Sequence, residues 1–358
     1  VQYKSIDNRF NNSRFVKDFE RDLFFNFFQN KNKIAIISHI DPDGDALASI
    51  ASIHFICKLL SIQTKIFLFN NPPYLEYNAW DLNLLPLDNF IQNEFDGIFF
   101  VDTPSLERSG LKKETKIIKP SFCIDHHIDN KFFCDFNIVA PKFCSASEII
   151  YNLIEDSDLI IKDDDPTKNS LIINLLENLF MGILFDTYYF QTENVDYILL
   201  ERAAKLQERT GSMHKLKNIL FKNQNPIIYQ LWGNILSTIS LFYENKVVIA
   251  RANAELFAKF KNLNRDFAPI ISTEGFINHL MSLRNVSIAI FIREFEDEIK
   301  VSIRSSIKAA SILANQFGGG GHANAAAFKI SKNRYSNIEE LEKDILKTIE
   351  RERLLSLE

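Results

Sequence analysis

The sequence predicts an α/β fold: a doubly wound parallel sheet in the N-terminal domain, followed by a second, smaller α+β domain. Two observations support the first part. Apolar runs of strand length end at Ser38, Val101 and Ile124. Segments with helical apolar spacing lie between them, and strands alternating with helices imply parallel βαβ units. A third observation concerns the C-terminal part, where from about Pro226 the pattern shifts to shorter helices and two alternating strands, residues 286–292 and 298–303.

In chain order, residues 1–33 begin polar and then read as a packing helix with Phe15, Phe19, Leu23 and Phe27 near one face. The strand 34–38 follows, then a turn bearing His39, Asp41, Asp43 and Asp45, and a crossover helix from Ala46 to Leu60 in which His54 is structural. Residues 65–69 form the next strand, and an aromatic, proline-containing loop spans 71–80. Further strands cover 97–101 and 121–124. Ser145-Ala146-Ser147-Glu148 is a capping box opening a helix to about Ile154. Asp165 as N-cap with Pro166 after it opens the helix that ends near Asp186. Residues 193–225 read as a helical, charged linker between domains 1–192 and 226–358. In the latter a helix to Leu241 and a strand 246–250 come first, then a helical patch at 274–281 and the two strands; a charged amphipathic helix, 338–354, closes the chain.

Composition narrows the function. The 358 residues are 46% hydrophobic and 24% charged, ordinary for a soluble globular protein. A net charge of −5 argues against a surface that tracks long nucleic acid, but suits a small anion held by metals and a few cations. The four cysteines, Cys57, Cys123, Cys134 and Cys144, show no C-x-x-C spacing and read as free thiols in a reducing cytosol. No signal peptide and no charge-free run of membrane-spanning length is seen, so a cytoplasmic protein without membrane contact is expected.

The chemistry concentrates at strand ends. His39, Asp43 and Asp45 crowd hard donors into seven residues; unpaired, such charges raise one another's pKa, and a divalent cation removes that penalty. The plain alternative is a solvated turn with Asp45 capping the helix. The arrangement recurs, however. Asp102 closes one apolar run, Asp125-His126-His127 closes another, and Asp186 ends a long apolar-periodic segment containing Gly182. The carboxyl edge of an open α/β sheet is where such folds bind ligands. Near the C-terminus, residues 318–321 are all glycine and precede His322. Backbone amides there can approach an anion with no Cβ between them. A flexible loop is the alternative.

These motifs, His-x-x-x-Asp-x-Asp, a strand-end Asp, Asp-His-His and Gly-Ile-x-x-Asp-Thr, resemble in order and spacing the DHH phosphoesterase superfamily. Phe317-Gly-Gly-Gly-Gly-His322 with Ala325-Ala326 resembles the glycine-rich signature of the DHH-associated domain. The resemblance runs roughly from Ile34 to Phe328 and points to the stand-alone two-domain members: nano-RNases, pAp phosphatases and cyclic-dinucleotide phosphodiesterases. It implies two Mn2+ ions, with Mg2+ or Co2+ as substitutes. His39, Asp43 and Asp102 would hold one, and Asp45, Asp102, His126 and Asp186 the other, with Asp102 as bridge. His127 would meet the scissile phosphate or leaving oxygen, Asp125 would orient the imidazoles, and Arg304, Gly319, Gly320, Gly321 and His322 would grip the nucleotide. The active site would lie in the cleft between the domains.

The activity so implied is hydrolysis of very short nucleotides to nucleoside 5′-monophosphates by attack of a hydroxide bridging the metals. Substrates would be oligoribonucleotides of a few residues, linear or cyclic dinucleotides such as cyclic di-AMP, and 3′-phosphoadenosine 5′-phosphate. A manganese inorganic pyrophosphatase and a non-catalytic nucleotide sensor of the same fold are the alternatives. Oligomeric state stays open, a homodimer being one option. Ala48, Tyr188 and Ala327 depart from the family pattern by replacing glycines; no metal ligand is lost.

Overall fold

The computed structural model describes residues 13–70, 82–219, 226–263, 273, 275–321, 323–335 and 337–356. The chain divides into two compact units, residues 1–223 and 224–358. The loop expected at 71–80 lies outside the described residues.

In the first unit, six strands alternate with or adjoin helices: β1 (Lys33–Ile37), β2 (Gln63–Leu68), β3 (Leu84–Pro86), β4 (Gly97–Val101), β5 (Ser121–Asp125) and β6 (Phe136–Val139). All pair in parallel, in the order 3-2-1-4-5-6. The order reverses between β1 and β4, so crossovers leave those two strands in opposite directions and a crevice opens beyond their carboxyl ends. Side chains alternate across the sheet as the pleat requires. Ile34, Ile36, Phe99, Val101, Phe122 and Ile124 enter the larger core with α1 (Asp18–Phe28), α2 (Gly44–Leu59), α3 (Ala146–Ile154) and α4 (Pro166–Asp186). Ala35, Ile37, Ile98, Phe100 and Cys123 face the other way, where turns and single-turn 3-10 helices supply Leu87, Phe90, Phe95 and Leu106. All four cysteines are buried and free.

Local chemistry sets the helix ends. Asp165 accepts from the Thr167 amide at 2.8 Å with Pro166 first in α4, as expected. At α3 the Ser145 hydroxyl accepts from the Glu148 amide at 3.0 Å. The Glu148 carboxylate, however, reaches back to the Cys144 amide at 2.7 Å and pairs with Arg14 and Arg202 at 3.0 and 2.6 Å. In α1 the packed face is Leu23, Phe24, Phe27 and Phe28, while Phe15 and Phe19 are 54% and 49% exposed. Phe15 precedes the helix, so the apolar stripe begins one turn later than the spacing suggests. Two further helices, α5 (Tyr197–Thr210) and α6 (Met213–Lys217), pack Leu199, Ala203, Leu206 and Leu216 into the same core.

The second unit is α+β. Its elements are α7 (Pro226–Leu236), β7 (Ser240–Phe242), β8 (Val247–Ala252), α8 (Ala254–Leu263), α9 (Phe276–Met281), β9 (Ile288–Glu294), β10 (Glu298–Ser305), α10 (Ala310–Gln316), β11 (Gly320–Gly321), β12 (Ala325–Ser331) and α11 (Ile338–Arg351). The sheet order is 11-12-10-9-8-7, mixed because β8 and β9 run parallel. The helix expected through Leu241 stops at Leu236. Thr238 Oγ1 accepts from the Arg251 amide at 2.9 Å and lies 3.0 Å from its carbonyl, folding the chain back so that residues 240–242 become an edge strand. The glycine run is likewise not a free loop, since Gly320 and Gly321 pair with Ala327 and Ala326. At Gly319 a Cβ would lie 2.3 Å from the Ala327 carbonyl oxygen, so this close approach requires glycine. Among the described residues no helix is long and apolar enough to cross a membrane.

Phe99 is fully buried, with the rings of Phe27, Phe28 and Phe122 at 5.5, 5.8 and 5.0 Å. Phe99→Ala should therefore cost about 3–5 kcal/mol in denaturant unfolding; a loss below ~1 kcal/mol would contradict the packing described.

Candidate metal centre

The site is assembled where β1, β4 and β5 end. The Ser38 hydroxyl donates to the Val101 carbonyl at 2.9 Å, tying the tips of β1 and β4 together. His39 follows. Its Nδ1 is 2.7 Å from the Ile40 carbonyl, which can only accept, so Nδ1 carries the hydrogen and Nε2 points to Asp102 Oδ2 at 3.5 Å. Asp43, not Asp45, caps α2, its Oδ1 accepting from the Asp45 and Ala46 amides at 3.0 Å each.

Asp45 is freed from capping and held elsewhere. It is fully buried and accepts from the Ala146 and Ser147 amides at 2.7 and 3.1 Å, in the first turn of α3, with Ser49 Oγ at 3.4 Å. The N-terminal amides of a helix favour a carboxylate. Helix α4 passes close beside it: a Cβ on Gly182 would lie 2.0 Å from Ser147 Oγ and 2.5 Å from Asp45 Oδ1. Only glycine allows that approach, and one turn later α4 delivers Asp186.

Asp102 is 1% exposed and has a left-handed backbone, φ 51°. While Oδ2 faces His39, Oδ1 lies 3.5 Å from His126 Nε2, which is also 3.3 Å from Asp186 Oδ2. Ligand-type atoms gather in three sets, each within 4.8 Å: His39, Asp43 and Asp102; Asp45, His126 and Asp186; and Asp102, His126 and His127. His127 does not complete the third set as a ligand through Nδ1, because that nitrogen contacts Asp125 Oδ1 at 2.7 Å and carries the hydrogen between them.

Electrostatics follow from this crowding. Burial, then the charges of Asp102 and Asp43, push Asp45 well above the usual carboxylate range. Burial and the neighbouring aspartates Asp45, Asp43 and Asp102 do the same to Asp186. At Asp102 burial acts in the same sense, but His39, His127 and His126 outweigh it and hold the carboxyl low. Burial disfavours charge on His39, yet Asp102 and Asp43 raise it to about 9. His127, also opposed by burial, is raised to about 10 by Asp125 and Asp102. His126 is pushed down by burial and by His127.

The residues present fit divalent cations. Oδ1 of Asp102 is buried and accepts no hydrogen bond, a costly state that a cation removes. Mixed imidazole and carboxylate donors suit manganese, magnesium or cobalt.

Comparison with known proteins agrees with the motif order. The DHH family, N-terminal domain, matches residues 33–183, and the DHHA1 domain matches residues 257–352. The chain is a DHH and DHHA1 domain protein. It is 26% identical over 313 residues to an uncharacterized protein of Methanocaldococcus jannaschii, across 84% of this chain and 59% of that relative, so it spans less than two thirds of that protein's length. To the bifunctional oligoribonuclease and PAP phosphatase NrnA of Thermus thermophilus it is 26% identical over 301 residues, 82% of each chain. An exopolyphosphatase-related protein from Bacteroides fragilis shares the fold at TM-score 0.82 and 23% identity, over 96% of this chain and 99% of that one.

Within the first unit the six expected ligands and the Asp125–His127 pair come together as described. In the DHHA1 domain, Arg304 and the glycines occupy neighbouring rungs of one sheet: Gly321 pairs with Ala326, and Arg304 with Ala325. Arg304 donates to the Ile303 carbonyl at 3.2 Å. His322 lies outside the described residues. Sequence reasoning missed Ser49, Ser147 and Asn130, which support the acids. Its one available signal was Gly182, a turn before Asp186.

Two outcomes are expected. Cation binding must displace protons from Asp45 and Asp186 and leave His39 Nε2 unprotonated, so manganese affinity should strengthen as pH rises, with proton release detected by calorimetry in buffers of different ionisation enthalpy. Affinity independent of pH and buffer would contradict the assignment. Gly182→Ala should destabilise by about 1–3 kcal/mol through overpacking and weaken manganese binding; parental binding would show that the Asp45 cradle tolerates a methyl group.

Proposed function

We propose that this protein is a two-metal phosphoesterase that cleaves very short nucleotides to nucleoside 5′-monophosphates. The observation that carries the reading is the position of Asp102, one oxygen toward His39 and the other toward His126, at the strand-order reversal of the sheet. His39, Asp43 and Asp102 would hold one cation, and Asp45, Asp102, His126 and Asp186 the other, with manganese as the expected metal. When bound, the pair would acidify water and neutralise charge on the phosphoryl group.

The remaining chemistry belongs to side chains. His127 is anchored through Nδ1, which contacts Asp125 Oδ1 at 2.7 Å, and this leaves Nε2 as the nitrogen that would donate to the leaving oxygen. As a water oxygen bonds to phosphorus and gives up a proton to solvent, the P–O3′ bond would break and the Nε2 proton would pass to O3′, His127 being reprotonated from solvent. Linear dinucleotides, short oligoribonucleotides and 3′-phosphoadenosine 5′-phosphate all break P–O3′ in giving a 5′-monophosphate, so one proton donor serves them all. Cyclic di-AMP opens by the same bond. Arg304, Gly319, Gly320, Gly321 and His322 would grip the part of the nucleotide distal to the scissile bond, with Arg304 taking phosphate bidentately. The NrnA relative's name, oligoribonuclease and PAP phosphatase, supports this substrate class, and the net charge of −5 disfavours long strands.

A turnover panel with manganese tests the reading: cyclic di-AMP, linear diadenylate, a short RNA, 3′-phosphoadenosine 5′-phosphate and pyrophosphate. Nucleotide cleavage is expected to dominate. Far faster pyrophosphate hydrolysis would favour the pyrophosphatase alternative, and tight nucleotide binding without turnover the sensor. Asp102→Ala should abolish cleavage; activity near the parent's in added manganese would reject the shared-carboxylate role.

A further inference from the structure

Behind the Asp125–His127 pair sits a buried side chain that the reading above does not use. Asn130 is 5% exposed. Its Nδ2 donates to Asp125 Oδ2 at 2.6 Å and lies 3.3 Å from the Thr103 carbonyl, while its Oδ1 accepts from the Phe132 amide at 2.7 Å. Asp125 therefore has each oxygen engaged on one side only, Oδ1 by His127 and Oδ2 by Asn130. The Phe132 contact fixes which end of the amide faces Asp125, because a backbone N–H can only donate and must meet the carbonyl oxygen. The Thr103 contact joins the tip of β4, next to Asp102, to the turn after β5.

We propose that Asn130 is a positioning residue that sets the orientation and tautomer of His127 through Asp125 and fixes its distance from Asp102. Phe132 (φ 51°) and Asn130 belong to a turn closed by Asn130 N to His127 O at 3.3 Å and tied to the segment after β4 by Lys131 N to Pro104 O at 2.8 Å. The amide is thus held from three directions, and Asp125 cannot rotate without losing its 2.6 Å bond. With Asp125 fixed, the hydrogen of His127 stays on Nδ1, which lies 2.7 Å from Asp125 Oδ1 and 3.5 Å from Asp102 Oδ1. The inference rests on the proposed role of His127 as proton donor to the leaving oxygen.

The test is Asn130→Asp, which keeps the shape and the bond to the Phe132 amide but presents an oxygen to Asp125 in place of an N–H. Turnover of linear diadenylate with manganese should fall about 10–100-fold, the usual effect of losing such a support, in kcat rather than KM, with manganese affinity unchanged. A p-nitrophenyl ester of a nucleoside 5′-phosphate has a leaving group that needs no proton. It should be cleaved by the variant at close to the parental rate. Asn130→Ala, with a thermal melt, serves as the second variant and should show the same split. Equal losses on both substrates, loss of manganese binding, or unchanged diadenylate turnover would each overturn the inference. A parent protein that cleaves neither substrate would instead overturn the proposed function, so the two failures are distinguishable.

Discussion

Three aspartates buried within reach of one another cannot all keep their charge, and the rest of the first domain is arranged around that constraint. Asp45 and Asp102 are almost fully buried and Asp186 stands beside them. Burying an unpaired carboxylate is costly enough that the group takes up a proton instead. The fold spends two devices on the problem, the amides of α3 on Asp45 and three imidazoles around Asp102, and neither is complete. Asp45 and Asp186 remain pushed upward, and one oxygen of Asp102 has no donor. Protons can neutralise these groups and divalent cations can replace the protons, which ties any metal binding to the local fold.

The sheet fixes where that receptor lies. Parallel strands of near-equal length end together, so residues just beyond β1, β4 and β5 are level with one another, and the Asp102 amide bonds to the Ile124 carbonyl at 2.8 Å. The strand-order reversal between β1 and β4 leaves the space above them uncovered by the adjoining crossovers. Helix α2 then brings Asp45 under the N-terminus of α3, and α4 crosses α2 so closely that Gly44 and Gly182 have no room for a side chain: a Cβ at Gly44 would lie 2.2 Å from the Phe185 ring. The positions of Asp45 and Asp186 are therefore consequences of helix packing, whereas those of His39, Asp102 and His126 are consequences of strand register.

That difference explains what was legible in the sequence. Candidate ligands at strand ends stand out because Asp or His repeatedly closes an apolar run of strand length; His39, Asp102 and His126, with the adjoining Asp125 and His127, are visible this way. Contacts made across packed helices leave no comparable trace. Ser147 is near in space to Asp45 but 102 positions away, and nothing about a serine in a capping box says that its amide serves a distant carboxylate. The cap that the plain alternative gives to Asp45 belongs to Asp43, whose Oδ1 reaches two amides at once. In the second domain, periodicity carried the helix at Pro226 past its true end, since the side chain of Thr238 bonding to Arg251 is a tertiary event. The glycine run was readable as close backbone approach, but not as a strand.

The end of α4 shows how such a site is kept in place against strain. Asp186 is the last helical residue, and Tyr188, Tyr189 and Phe190 that follow are all left-handed, φ 45°, 62° and 65°. Each such conformation costs about 1–3 kcal/mol for a residue bearing a side chain. Local bonds offset part of this: Thr187 Oγ1 donates to the Ile183 carbonyl at 2.6 Å and accepts from the Phe190 amide at 3.0 Å, and the Tyr189 amide bonds to Leu184 at 2.8 Å. Tyr189 and Phe190 also pack against the main core, and the Tyr189 hydroxyl donates to the Met213 carbonyl at 3.3 Å. A helix that simply frayed would let Asp186 swing into solvent, away from the charges that repel it. The turn prevents this by packing Thr187, Tyr189 and Phe190 against the core, so relief of the repulsion is left to protons or cations rather than to movement of the chain.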